Sequence, residues 1–111
     1  MSFFNKKEND IDALNNKGFE LLKLGRYEEA IECYEKVLAI DGNNIFALNN
    51  KGDALFELGI YPEAIECYEK ILANDGNNFG ALYGKGLALS KLGRHPEAIE
   101  CFKKANLGLR K

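Results

Sequence analysis

The chain has 111 residues, 46% hydrophobic and 29% charged, a balance that suits one small globular domain and excludes a disordered segment. Its 15 basic and 17 acidic residues leave a net charge of −2, without the basic excess of a general nucleic-acid binder. No uncharged apolar run approaches the ~20 residues of a membrane span, and the start lacks the apolar core of a signal peptide, so a cytoplasmic chain is expected.

In chain order, residues 1–10 read as a lead, with Asp10 as N-cap of a first helix. Ile11, Leu14, Gly18 and Leu21 recur at helical steps, and Gly25 supplies a left-handed stop. A second helix opens near Glu28 and carries the apolar stripe Ala30, Tyr34 and Val37, widened by Ile31 and Leu38. The turn Asp41-Gly42-Asn43-Asn44 closes the unit. The same order then returns twice. Asn44 and Asn78 precede the next first helices, Gly59 and Gly93 stop them, and Pro62 and Pro96 sit in the first turn of the next second helices. Glu32–Lys36, Glu66–Lys70 and Glu100–Lys104 have the spacing of pairs one helical turn apart.

The period is 34 residues, marked by Cys33, Cys67 and Cys101 and by Gly18, Gly52 and Gly86. It divides the chain into units at 11–44, 45–78 and 79–111, the first two identical at roughly three-quarters of positions. Glycine inside a helix costs about 1 kcal/mol relative to alanine. Close backbone packing of Gly18, Gly52 and Gly86 against Ala30, Ala64 and Ala98 would explain it.

These residues resemble the tetratricopeptide repeat family. The matching positions are Leu14, Gly18, Leu21, Tyr27, Ala30 and Tyr34, then Leu48, Gly52, Leu55, Tyr61, Ala64 and Tyr68. In the third unit they are Leu82, Gly86, Leu89, Ala98 and Phe102. The resemblance spans residues 11–111. It implies an all-α fold, a right-handed superhelical solenoid of three helix-turn-helix repeats. The departures are Lys17, Lys51 and Lys85 where the family has leucine, glycine at 42 and 76 where it has proline, and His95 in place of tyrosine. A lysine stem can still pack while its amine reaches water.

The resemblance further implies a concave groove lined by the first helices. By position, the first unit contributes Asp12, Asn15, Asn16, Phe19, Leu22 and Lys23. The second contributes Phe46, Asn49, Asn50, Asp53, Phe56 and Glu57, and the third Tyr83, Leu87, Ser90 and Lys91, with Gly80 and Gly84 leaving space. Asparagine offers a donor and an acceptor, so Asn16 and Asn50 suit a peptide backbone, while the aromatic rings supply contact area. Family members that grip a C-terminal carboxylate use basic and asparagine side chains. The corresponding positions here are Asn15, Phe19, Asn50, Gly80 and Gly84, so no such clamp is expected.

Catalysis is not expected, and no cofactor. Equivalent cysteines in stacked helices lie about 8–10 Å apart, beyond disulfide reach, and no zinc-like set of Cys and His accompanies them. They read as buried thiols, consistent with a reducing compartment. The expected function is a non-catalytic scaffold that binds a segment of a protein partner. The alternative is a self-assembly module, a homo-oligomer joined through its terminal repeat faces. In that setting Phe3, Phe4, Leu107 and Leu109 are the candidates to cover the ends.

Overall fold

The computed structural model describes the backbone of residues 3–109 and the side chains of residues 10–107. Among these residues there are six α-helices and no strand: α1 (Phe3–Lys23), α2 (Tyr27–Ile40), α3 (Ile45–Glu57), α4 (Tyr61–Asn74), α5 (Phe79–Lys91) and α6 (His95–Leu109). Each helix packs on its neighbours in the chain, and α3 also touches α1 and α5. The result is an all-α solenoid with extents of 51 × 31 × 19 Å. No helix among the described residues is long and apolar enough to cross a membrane.

The hairpin turns follow from one conformation repeated three times. Gly25, Gly59 and Gly93 have φ of 75°, 78° and 79°, in the left-handed region where a side chain is strained. That geometry closes a double hydrogen bond: the amide of Gly59 donates to the carbonyl of Phe56, and that of Ile60 to Leu55. The helices after the inter-unit turns start at asparagine. The Asn44 and Asn78 side chains accept from the amides of Ala47 and Ala81, each at 2.9 Å. Asp10 does not act this way. It lies within α1, because no glycine or proline interrupts residues 3–10 and nothing ends the helix there. The expected boundary after residue 10 is therefore crossed by one continuous helix.

The core is a chain of overlapping clusters. Leu21, Ala30, Tyr34 and Val37 form the first with Ala47 of the next unit. Leu48, Leu55, Ala64, Tyr68 and Ile71 form the second, against Ile31 and Leu38 on one side and Ala81 on the other. Ile65 then joins Ala88, Leu89, Ala98 and Cys101. Each unit completes its burial on a neighbour, as repeat stacking requires.

The intrahelical glycines meet different partners from those expected. A Cβ on Gly52 would lie 2.9 Å from the Tyr68 ring and 3.3 Å from the Cys67 Cβ; Ala64 is not the near neighbour. Gly18 faces Tyr34 and Gly86 faces Phe102 in the same way. The helix tolerates glycine there because an aromatic ring of the paired helix occupies the space.

The ion pairs also differ. The expected pairs of Glu32, Glu66 and Glu100 with the lysines four residues on do not close. These acids are exposed, where such a pair gains little over water. The acids at 35 and 69 instead bridge units: Glu35 reaches Lys51 at 3.6 Å, and Glu69 reaches Lys85 at 3.3 Å. Lys51 and Lys85 are the lysines that replace the family's leucine. Their side chains are three-quarters or more covered, with the amines at the unit boundary.

Leu107 is exposed on α6. The covering roles expected of Phe3, Phe4 and Leu109 fall on side chains outside the described residues.

Candidate functional site

The first helices place the expected lining residues in two clefts. The larger gathering lies between the second and third units. Asn49, Asp53 and Phe56 of α3 face Tyr83 and Leu87 of α5 across a cleft of about 340 Å³. The helical repeat explains this grouping, since residues 49, 53 and 56 lie on one face of α3. Glu57, Gly80, Gly84 and Tyr68 complete the wall.

Aromatic neighbours hold the two rings of this cleft. Phe56 meets Tyr61 edge to face, with centroids 5.3 Å apart. Tyr83 stacks on Phe79 at 5.8 Å and leans on Phe102 at 5.6 Å. Such contacts fix ring orientation without filling the space between the rings.

The polar centre is Asp53. Its Oδ1 accepts a hydrogen bond from the Tyr68 hydroxyl at 2.5 Å. Burial raises the Asp53 carboxyl above the ordinary carboxylate value; the Tyr68 hydrogen bond opposes that rise, and nearby Glu57 adds to it. The Tyr68 phenol is raised too, first by burial and then by its bond to Asp53. Its ring is nearly fully buried between two glycines, Gly52 of its own hairpin and Gly84 of the next unit. A Cβ on Gly84 would come within 2.6 Å of that ring. The glycine is therefore required where α5 passes the tyrosine.

The other cleft, of about 410 Å³, joins Asn15 and Asn16 to Asn44 and Phe46, with Asp12 at its edge. Asn15 is only 8% exposed. Its Nδ2 donates to the Asn44 Oδ1 at 3.5 Å, and its Oδ1 has no partner. Phe19 and Phe46 meet edge to face beside it at 6.1 Å, and the Lys23 amine lies 5.0 Å over the Phe19 ring.

Of the ten candidate residues, Asn49, Asp53, Phe56, Tyr83 and Leu87 thus share one cleft, and Asn15, Asn16 and Phe46 share the other. Phe19 flanks the second through Phe46. Asn50 lines neither, and is 8% exposed. Sequence reasoning missed Tyr68, which reads as a core aromatic. Its hydroxyl becomes a site group only because the hairpin brings residue 68 to residue 53.

The cysteines are buried and free. Burial pushes the Cys67 and Cys101 thiols up, which disfavours the reactive thiolate. Among the described residues no three His, Cys, Asp or Glu side chains gather as metal ligands would.

Family models of the tetratricopeptide repeat match residues 11–44 and residues 49–106. No curated protein matches the chain. Among solved structures, the second TPR of Spaghetti (RPAP3), bound to the HSP90 peptide SRMEEVD, is 30% identical with a TM-score of 0.85, over 93% of this chain and 97% of that one. The second TPR domain of human RPAP3, in complex with the HSP70 peptide SGPTIEEVD, is 29% identical with a TM-score of 0.86, over 92% and 85% of the two chains. The Arabidopsis OM64 TPR domain, 24% identical with a TM-score of 0.87 over 92% and 84%, shares the fold. Sequence period, stacked hairpins and family matches agree, and the chain belongs to the tetratricopeptide repeat family.

Proposed function

We propose that this chain is a non-catalytic scaffold that holds a segment of a partner protein along the concave face of its first helices. The observation that carries the reading is the gathering of eight candidate residues into two neighbouring clefts, with aromatic walls and asparagine side chains on their rims. Structural neighbours bound to peptides of HSP90 and HSP70 support the same kind of partner. Asn16 and Asn49 line these clefts and are the asparagines this reading assigns to a peptide backbone. Three units give a short groove, so affinity is expected near the micromolar range, about −8 kcal/mol. The buried free thiols suit a reducing compartment such as the cytoplasm.

The peptides in those neighbours end in Glu-Glu-Val-Asp. Here Gly80 and Gly84 offer no cation, and Asp53 and Glu57 stand across from them, so a carboxylate clamp is not part of this reading. The test is capture on a peptide array, repeated with the double variant Asn16→Ala/Asn49→Ala and with Phe46→Ala. Loss of capture in both supports the groove. Capture that survives both and responds to convex-face changes such as Glu32→Ala overturns it. Micromolar binding of SRMEEVD, abolished by amidating its C-terminus, would overturn the exclusion of a clamp.

A further inference from the structure

We infer that the cleft between the second and third units is a socket for one basic side chain, arginine or lysine, of the segment held in the groove. The inference rests on the groove reading and names the chemistry of its partner.

The repeat provides its own controls. Positions 19, 53 and 87 hold Phe, Asp and Leu, and positions 23, 57 and 91 hold Lys, Glu and Lys. Only the middle unit is acidic at both. Asp53 and Glu57 are one helical turn apart on α3 and line the same cleft. Among the described residues neither carboxylate has an ion-pair partner, although six ion pairs form elsewhere. Asp53 uses Oδ1 for the Tyr68 hydroxyl, which fixes the carboxylate and leaves Oδ2 to face a ligand.

The rest of the cleft suits the same occupant. Phe56 and Tyr83 flank the acids with aromatic surface, and a guanidinium or ammonium is attracted both to ring faces and to carboxylates. On α5 the positions held one unit earlier by Phe46 and Asn50 are Gly80 and Gly84: Gly84 lets the Tyr68 ring, which carries the hydroxyl bound to Asp53, sit against α5, and Gly80 puts no side chain into the cleft. The first unit shows the recognition within the chain itself. There the Lys23 amine lies over the Phe19 ring and pairs with Glu20 at 3.0 Å. At the second unit the aromatic and acidic groups are present and the cation is not supplied by the chain. A partner segment with a basic residue completes the set.

The test uses the full chain and two small probes, N-acetyl-arginine N-methylamide and its neutral citrulline counterpart. Amide shifts of Gly80 and Gly84 are followed by NMR at low salt. Saturable shifts that favour arginine by roughly tenfold are expected, the scale of a hydrogen bond to a charged group. Asp53→Asn and Glu57→Gln should each reduce the preference, and Glu57 is exposed, so its variant does not disturb the fold. Equal affinities for the two probes, no shifts at Gly80 and Gly84, or a preference unchanged by both variants overturns the socket. The peptide array separates the two readings. If arginine-to-citrulline exchange in captured peptides has no effect while Phe46→Ala still abolishes capture, the socket fails and the groove stands. If the arginine probe seats in the cleft while capture ignores Phe46→Ala, Asn16→Ala and Asn49→Ala, the socket stands and the groove fails.

Discussion

Tyr68 and its two glycines show how one side chain sets local tolerance. At Gly52, alanine would gain about 1 kcal/mol of helix propensity. Its Cβ would also press on the Tyr68 ring, which Gly84 and the Asp53 hydrogen bond hold in place. Overpacking of this kind costs about 1–3 kcal/mol. Gly52→Ala is therefore expected to lower stability, read as a fall in the urea midpoint with an unchanged slope. Asp53 gives a prediction with a sign. Its carboxyl is raised in the folded chain, so the native state holds that proton more tightly than the unfolded state does. The cost of ionising it is absent below the unfolded value and fully present above the folded one. Asp53→Asn keeps an acceptor for Tyr68 and removes that cost. The variant should melt higher than the parent at neutral pH, with the gap closing as pH falls through the carboxylate range. A gap that stays constant with pH would show that the carboxyl is not shifted.

At the scale of elements, the starts of α3 and α5 can be compared directly. Both begin at an asparagine that accepts from the amide three residues on. Asn78→Ala removes that cap and is expected to cost about 1 kcal/mol. Asn44 is also the acceptor for the Asn15 Nδ2. Asn15 is buried and already has an unpartnered Oδ1. Asn44→Ala should therefore cost more than Asn78→Ala, a difference measurable by paired denaturation curves. The turns were legible in the sequence because glycine at 25, 59 and 93 and asparagine at 44 and 78 act within a few residues of themselves. The extent of α1 was not, because the end of a repeat in the sequence is not a signal that ends a helix.

Across the whole molecule, stacking depends on a face that each second helix offers to the next unit. Ile31, Glu35 and Leu38 supply it on α2: the two apolar residues pack on the second core and Glu35 reaches Lys51. On α4 the same positions are Ile65, Glu69 and Leu72. On α6 they are Ile99, Lys103 and Asn106. Ile99 is 51% exposed where Ile65 is 7%. A second copy stacked in the repeat register would bring its Lys17 toward Lys103, and would meet Asn106 in place of a leucine. The opposite-charge pair seen inside the molecule becomes a like-charge pair. Each such surface term is worth at most about 1 kcal/mol, yet both changes act against end-to-end growth. Lys103→Glu/Asn106→Leu is expected to raise self-association, seen as concentration-dependent mass in sedimentation. Equal association of parent and variant would remove this account of the terminal face. The candidate site belongs to this scale too. The groove residues were readable from the repeat, but their division between two clefts and the burial of Asn50 depend on how neighbouring units pack.

By itself, the sequence determined the six helices apart from the start of α1, the asparagine caps and glycine stops between them, and their stacking order. Those follow from short-range backbone preferences and from an apolar pattern that recurs every 34 residues. Only the tertiary structure decided which side chains meet across helices: Tyr68 with Asp53 and Gly84, Glu35 with Lys51, Gly52 with a ring and not with Ala64. These contacts depend on the rotation and separation of packed helices. A periodic pattern records which face is buried, but not which atom of the neighbour it meets.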